Sequence, residues 1–217
     1  MVKGLKLQIL LLDEVDSTQL YLKKALIQKK LTPPCGVLAK IQTAGVGSRE
    51  NSWIGLEGNF FFSFALNLND LPQDLKLESA SIYFAYLLRE VLEELGSKVW
   101  LKWPNDFYVE DKKIGGMITN IVGNSLVCGV GINLVKNPNS FAKLDIVLSK
   151  EKLLGAYVEK IEKRVLWKQV FSKYKLEFQK SKTYTTHAKE HTIALCDAIL
   201  NDDGSITSNG ERVYSLR

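Results

Sequence analysis

Residues 98–133 restrict this chain more than any other stretch. Leu101 and Trp103 alternate with Lys102 in the manner of a strand, and Pro104 then breaks it. Proline bars the αR conformation at the residue before it and has no N–H for a ladder. Lys113 to Val122 and Ser125 to Asn133 read as further strands, separated only by Gly123-Asn124, a hairpin signal. Strands joined so tightly pair antiparallel. A doubly wound parallel sheet is therefore excluded, and the expected class is α+β.

The remaining pattern fits that class. Leu5 to Leu12 reads as an opening strand running into Asp16-Ser17-Thr18, with Asp16 or Ser17 capping a helix that carries Leu20, Leu22, Ala25 and Leu26. Pro33-Pro34 ends it. Gly36 to Gln42 and the aromatic Gly58 to Leu68 are expected strands, with Thr43 to Ser52 a polar loop. Leu75 to Leu95, with apolar Ile82, Ala85, Tyr86, Leu88, Val91, Leu92 and Leu95, reads as an amphipathic helix stopped by Gly96. Ser149 caps a helical region that runs, with a break, to about Gln179. Beyond Thr183, short strands alternate with Asp202-Asp203-Gly204 and Asn209-Gly210 turns. That C-terminal piece is too small to hold a core alone and is expected to dock on the rest.

Bulk properties exclude several classes. With 217 residues, 46% hydrophobic and 24% charged, the chain can bury an ordinary core. No apolar run reaches the ~18 residues of a membrane helix, and no signal-peptide cleavage pattern is visible. Cys35, Cys128 and Cys196 are odd in number and scattered, which suits reduced thiols and a cytoplasmic setting. The net charge of +5 is spread without a basic block, so neither nucleic acid nor membrane is an expected partner. His187 and His191 would suit one metal only on a shared helix face, and no third ligand is near, so no metal site is expected.

Four clusters could carry chemistry. Lys102, Asn105 and Asp106, with Lys113 and Gly115-Gly116 just beyond, place two cations and a carboxylate around a rigid bend. Gly129-Val130-Gly131-Ile132-Asn133 lacks the third glycine and following helix of a dinucleotide fingerprint. Its alternating glycines would let a flat ligand approach the backbone, and the Asn133 amide pairs a donor with an acceptor, as an adenine edge requires. A β-bulge with a turn-forming asparagine explains the same residues. In the glycine loop from Thr43, Arg49 could grip a phosphate and Trp53 offer a stacking surface; a plain surface loop with a buried tryptophan is the alternative. Ser17, Thr18 and Gln42 could ring a neutral urea or amide, although Ser17 serves equally as a helix cap.

Taken together, Ser17-Thr18, the glycine loop with Trp53, Lys102 to Asp106, Lys113 with Gly115-Gly116, and Gly129 to Asn133 resemble, in order, the motifs of the biotin protein ligase family. The ending Asp203-Gly204-Ser205, Asn209-Gly210 and Val213-Tyr214-Ser215-Leu216 is similar to that family's small SH3-like barrel. The resemblance implies a mixed-sheet catalytic domain flanked by helices, of the class II synthetase and biotin–lipoate ligase kind, over residues 1–184, with the C-terminal β module over 185–217. It further implies ATP-dependent conversion of biotin to biotinyl-5′-AMP and transfer of biotin to a lysine of a biotin carboxyl carrier protein. Mg2+ would accompany ATP, held largely by phosphates and water.

By the same resemblance Lys113 bridges carboxylate and α-phosphate, and Asp106 attends the acyl carbon. Ser17, Thr18, Gln42, Gly45, Lys113 and Gly116 surround biotin. Arg49, Trp53, Lys102, Asn105, Gly129 and Asn133 surround the nucleotide. Two anions at ~4 Å repel by about 4 kcal/mol at an effective dielectric of ~20, so a lysine between them could supply roughly a thousandfold in rate. The loop departs from the family's Gly-Arg-Gly-Arg: Val46 and Ser48 stand where arginines are usual, and Arg49 is expected to substitute in part. Gln19 stands where the family commonly has Asn. Fewer than twenty residues precede Ser17, so a ligase without a DNA-binding domain is expected. Some relatives dimerise by sheet extension, which leaves a homodimer open. Rival readings are a lipoate ligase or transferase and a non-catalytic biotin or adenylate binder.

Overall fold

A computed structural model describes residues 5–47, 52–135, 142–188 and 191–215. The first half contains β1 (Gln8–Val15), α1 (Thr18–Ile27), β2 (Cys35–Val46), β3 (Ser52–Gly55), β4 (Phe60–Asn67) and α2 (Ala80–Glu94). A meander follows: β5 (Trp100–Lys102), β6 (Asp106–Val109), β7 (Lys112–Val122) and β8 (Ser125–Ile132). Then come α3 (Lys150–Glu162) and α4 (Trp167–Glu177). At the end, β9 (Thr185–Ala188) and β10 (His191–Ala194) form one hairpin, and β11 (Ile199–Leu200), β12 (Ile206–Ser208) and β13 (Glu211–Val213) a three-stranded sheet.

Eight strands make one mixed sheet in the order β1-β2-β4-β8-β7-β6-β5, with β3 folded back on β2. Only β1–β2 is parallel; every other pair is antiparallel. The expected α+β class holds. Strand β4 packs against helices on both faces, because its alternate residues point to opposite sides. Phe60, Phe62, Phe64 and Leu66 face α2 and α3, where Phe64 meets Phe84 edge-on at 5.1 Å and Phe62 meets Tyr157 at 6.3 Å. Burying each such ring contributes about 1.5–3 kcal/mol. Ala65, with Val37 and Val127, faces Leu22 of α1 on the other side.

Edge strand β5 is closed off by side chains. Leu101 N donates to Glu177 Oε1 at 2.6 Å, and Trp103 N to Ser181 Oγ at 3.0 Å. Arg89 Nε holds the other Glu177 oxygen at 2.7 Å. These bonds satisfy backbone groups that would otherwise offer a pairing edge. The C-terminal sheet docks through similar contacts: Trp103 Nε1 donates to Gly204 O and Trp167 Nε1 to Asp202 O, both at 2.8 Å, and Ser79 Oγ donates to Asp203 O at 2.7 Å.

Several expectations need correction. Thr43 to Ser52 is not simply a loop, because β2 continues to Val46 and β3 returns from Ser52, with Gly45 opposite Trp53. A 12-residue strand with polar Lys40, Gln42 and Thr43 lacks the apolar run that marks a strand in sequence. The strand β6 escaped notice because four residues between two turns show little periodicity. The first strand begins at Gln8 and runs on to Val15. His187 and His191 lie on the β9–β10 hairpin, where His187 faces Thr192, and so share no helix face.

Candidate active site

The sheet register builds the site. In antiparallel pairs, residues directly opposite share a face. Asp106 opposes Gly116, Gly116 opposes Gly131, Ile118 opposes Gly129, and Asn120 opposes Val127. That set lies on the α1 side. Toward β6 the positions are glycines, and α1 covers only the part of the sheet near Val37, Ala65 and Val127. The uncovered part becomes a cavity lined by Ser17, Gln19 and Gln42 at one end and Asp106 and Lys113 at another, with Val46 and Gly47 also in its wall. Counted together with the open solvent at its mouth it spans about 510 Å³.

At the charged end, Lys113 Nζ stands 2.7 Å from Asp106 Oδ1. The two side chains are 28% and 18% exposed, so a ligand can reach both. Such a partly wet pair is worth about 0–1 kcal/mol, which makes it easy to reopen. Gly116 completes this end: a Cβ there would lie 3.3 Å from Asp106 Oδ1.

The uncharged end is a relay of hydrogen bonds. Ser17 caps α1, its hydroxyl accepting from Leu20 N at 3.4 Å. Ser63 Oγ donates to Thr18 Oγ1 at 2.9 Å, and Thr18 donates through both N (2.7 Å) and Oγ1 (2.9 Å) to Gln42 Oε1. Gln42 is thereby fixed by its oxygen, which leaves its Nε2 as the group's donor. Thr18 itself is buried behind Gln42 and positions it. Gln19 was missed as a site residue. Its Nε2 donates to Asn120 Oδ1 (3.2 Å) and Val127 O (3.3 Å), and its Oε1 has no hydrogen-bond partner among the described residues. The sequence clue was its place directly after Ser17-Thr18 on the cap of α1.

The nucleotide-side candidates are more dispersed. A Cβ on Gly129 would meet Gln19 Oε1 at 2.4 Å and Ser63 Oγ at 3.0 Å, so this glycine makes room for a side chain of the protein itself, at the uncharged end. Asn105 Nδ2 donates to Met117 O at 2.6 Å and so staples β6 to β7. Lys102 lies opposite Asp106 on the same face, its ammonium over the rings of Tyr108 and Tyr184 at 5.6 and 5.9 Å. Asn133 is fully buried; its Nδ2 donates to Ala142 O at 3.2 Å and its Oδ1 has no hydrogen-bond partner among the described residues, so the expected donor–acceptor pair is not offered to a ligand. Trp53 sits on β3 opposite Gly45, and Arg49 and Ser48 lie outside the described residues. Among the described residues no three His, Cys, Asp or Glu side chains cluster as a metal site, and no helix is long and apolar enough to cross a membrane.

Known proteins share this fold. The biotin acetyl-coenzyme A carboxylase synthetase of Helicobacter pylori, solved with bound biotinylated ATP, is 40% identical, covers 96% of this chain and 100% of its own, and superposes with a TM-score of 0.92. The biotin protein ligase of Aquifex aeolicus shares the fold at 23% identity, with 97% and 96% coverage and a TM-score of 0.78. The bifunctional ligase/repressor BirA of Escherichia coli (strain K12) is 32% identical over 133 residues, 58% of this chain and 40% of that protein. The chain thus spans less than half the length of this curated relative. The family model described as biotin/lipoate A/B protein ligase matches residues 11–137. On this match and the near full-length likeness to the Helicobacter pylori protein, the chain belongs to the biotin/lipoate A/B protein ligase family, among its biotin protein ligases.

Proposed function

We propose that this chain joins biotin to ATP, releasing pyrophosphate, and then passes the biotinyl group to a lysine of a biotin carboxyl carrier protein. The observation that carries the reading is the two-ended cavity: uncharged hydrogen-bonding groups at Ser17 and Gln42, and the Lys113–Asp106 pair at the charged end. A cyclic urea with a carboxylate tail matches both ends.

In the first step a biotin carboxylate oxygen forms a bond to the α-phosphorus, and the bond from that phosphorus to the pyrophosphate oxygen breaks. Both reactants are anionic. Lys113 is held by Asp106 before they arrive, and the arriving anions compete for its ammonium. Set between carboxylate and α-phosphate, the ammonium offsets a repulsion of about 4 kcal/mol. Asp106, relieved of its partner, then accepts a proton from the carrier lysine as that amine attacks the acyl carbon and AMP departs. Ser17 donates toward the ureido oxygen at the positive end of α1. Arg49 would take phosphate oxygens. A divalent ion entering with ATP would be held largely by phosphates and water.

Lipoate is the rival substrate. Its dithiolane ring makes no hydrogen bonds and would leave the Ser17–Gln42 end unpaired, a mismatch that sites of this kind reject strongly. The experiment is mass spectrometry of a biotin carrier domain after incubation with the protein, ATP, magnesium and either biotin or lipoate. A biotinyl mass increase and biotin-dependent pyrophosphate release are expected. Pyrophosphate without carrier labelling would reduce the activity to adenylate formation, and neither would leave only a binder.

A further inference from the structure

Side chains of a regular ladder alternate between its two faces, and a slip of one residue sends every following side chain to the other face. Gly116 shares the cavity face with Asp106. Counted back along β7 from there, a regular ladder would turn Gly115 to the α2 side, Ile114 to the cavity and Lys113 to the α2 side. At Ile114 and Lys113 the structure has the reverse. Ile114 is fully buried in the α2-side core with Phe107, and Lys113 lines the cavity. The register explains the reversal: Phe107 pairs with Gly115, but the next residue, Tyr108, pairs with Lys113. Ile114 is thus an extra residue in β7, a β-bulge, and bulges re-aim side chains.

The bulge is held from both sides. Asn133 N donates to Ile114 O at 2.8 Å, and Ala142 N donates to Lys113 O at 3.2 Å. Ile114 and Gly115 follow one another on the same face, where a Cβ on Gly115 would lie 2.4 Å from Gly131 O and 2.5 Å from Ile132 Cδ1. A backbone oxygen cannot swing aside as the end of a side chain can, so a glycine is needed for β7 to lie this close to β8 beside the bulge. We infer that Gly115 is a positioning residue for Lys113: by leaving room against Gly131 it permits the Ile114 bulge that turns the ammonium into the cavity. The assignment rests on the biotin reading above, which gives Lys113 its task, and adds the residue that aims it.

The test measures biotin-dependent pyrophosphate release by the full chain for wild type, Gly115→Ala, Lys113→Ala and the double variant, each shown by thermal melts to be folded at the assay temperature. Misplacing a reacting group by about 1 Å costs on the order of 100-fold. Gly115→Ala should slow release by about that factor while Lys113 is present. On the residual rate of Lys113→Ala, read at high enzyme concentration, it should act by no more than about twofold, because no ammonium is left to aim. A loss of the same factor in both backgrounds would mean that Gly115 supports the site at large. A rate for Gly115→Ala within about twofold of wild type would mean that the bulge does not need the glycine. Either overturns the assignment. Should Gly115→Ala not fold, Ile114→Ala withdraws the anchor of the bulge from the core and carries the same comparison. A folded wild type that releases no pyrophosphate would overturn the functional reading itself, whereas an active wild type with equal losses in both backgrounds overturns only the role of Gly115.

Discussion

The Lys102–Asp106 bend divides two regions that use polar groups in opposite ways. On the C-terminal side the polar groups next to Trp103 are paired, although Tyr174 Oη on α4 is buried without a hydrogen-bond partner among the described residues. The indole donates to Gly204, Trp103 N to Ser181, Leu101 N to Glu177, and Asp203 binds Ser205 and Arg212. On the cavity side, Gln19 Oε1 is unpaired, and Lys113 and Asp106 hold one another at an accessible surface. Saturated groups fix a backbone; the partly exposed Lys113–Asp106 pair is the one of these that a ligand can reach. Residues three apart in one motif thus do different work. Trp103 anchors the bend to the small sheet so that Asp106 is held at the mouth of the cavity.

If that division is right, replacing a residue on the cavity side should remove activity and spare stability. Lys113→Ala should lower the rate of biotin-dependent pyrophosphate release by about a thousandfold, since one ammonium between two anions is worth about 4 kcal/mol. Its ion pair is partly exposed, so thermal unfolding should move by no more than about 2 °C. A loss of only a fewfold, or a large drop in melting temperature, would erase the distinction.

The class and most elements were legible because strong periodicities carry them. The aromatic strand β4, the stripe on α2 ending at Gly96 (φ +100°) and the Gly123-Asn124 turn appear as read, although α2 starts at Ala80 and not at Leu75. So do the Ser17 cap and the proximity of Lys113 to Asp106. What escaped depends on distant neighbours. Nothing local to Gly129 reveals that the side chain of Gln19, 110 positions earlier, occupies the space its Cβ would take. Nothing local to Asn105 shows that its amide is already committed to Met117 O, or that Asn133 has given its donor to Ala142. The type of residue announced hydrogen bonding, and only packing decided whether the partner was the protein or a ligand.

The complementary test is Trp103→Phe. The indole is fully buried, and phenylalanine leaves both a small void and an unpaired Gly204 carbonyl. Together these are expected to destabilise by about 2–4 kcal/mol. The melting temperature should fall by roughly 2–4 °C for each of those kcal/mol, read by calorimetry. Pyrophosphate release per folded molecule below the transition should stay within about twofold of wild type. A collapse of activity in protein shown to be folded would mean that the bend cannot be treated as scaffold alone.

The smallest effect is expected at Asp203, and it carries a pH signature. Burial pushes its carboxyl up, but the Ser205 hydroxyl and Arg212 together outweigh that and hold it below its ordinary 3.8. A carboxyl depressed in the folded state binds protons more weakly there than in the unfolded chain. Its stabilisation is therefore complete above 3.8 and is lost as pH falls through the lower folded value. Asp203→Asn should accordingly lower stability by about 1 kcal/mol at neutral pH, most of it through Ser205, because Arg212 is about half exposed and screened. Thermal melts of both proteins across the acid range should converge as pH drops below 3.8, while biotin affinity at pH 7 stays unchanged. A gap that persists unaltered into strong acid would show that the asparagine disturbs packing and that the charge contributes nothing to docking the C-terminal sheet.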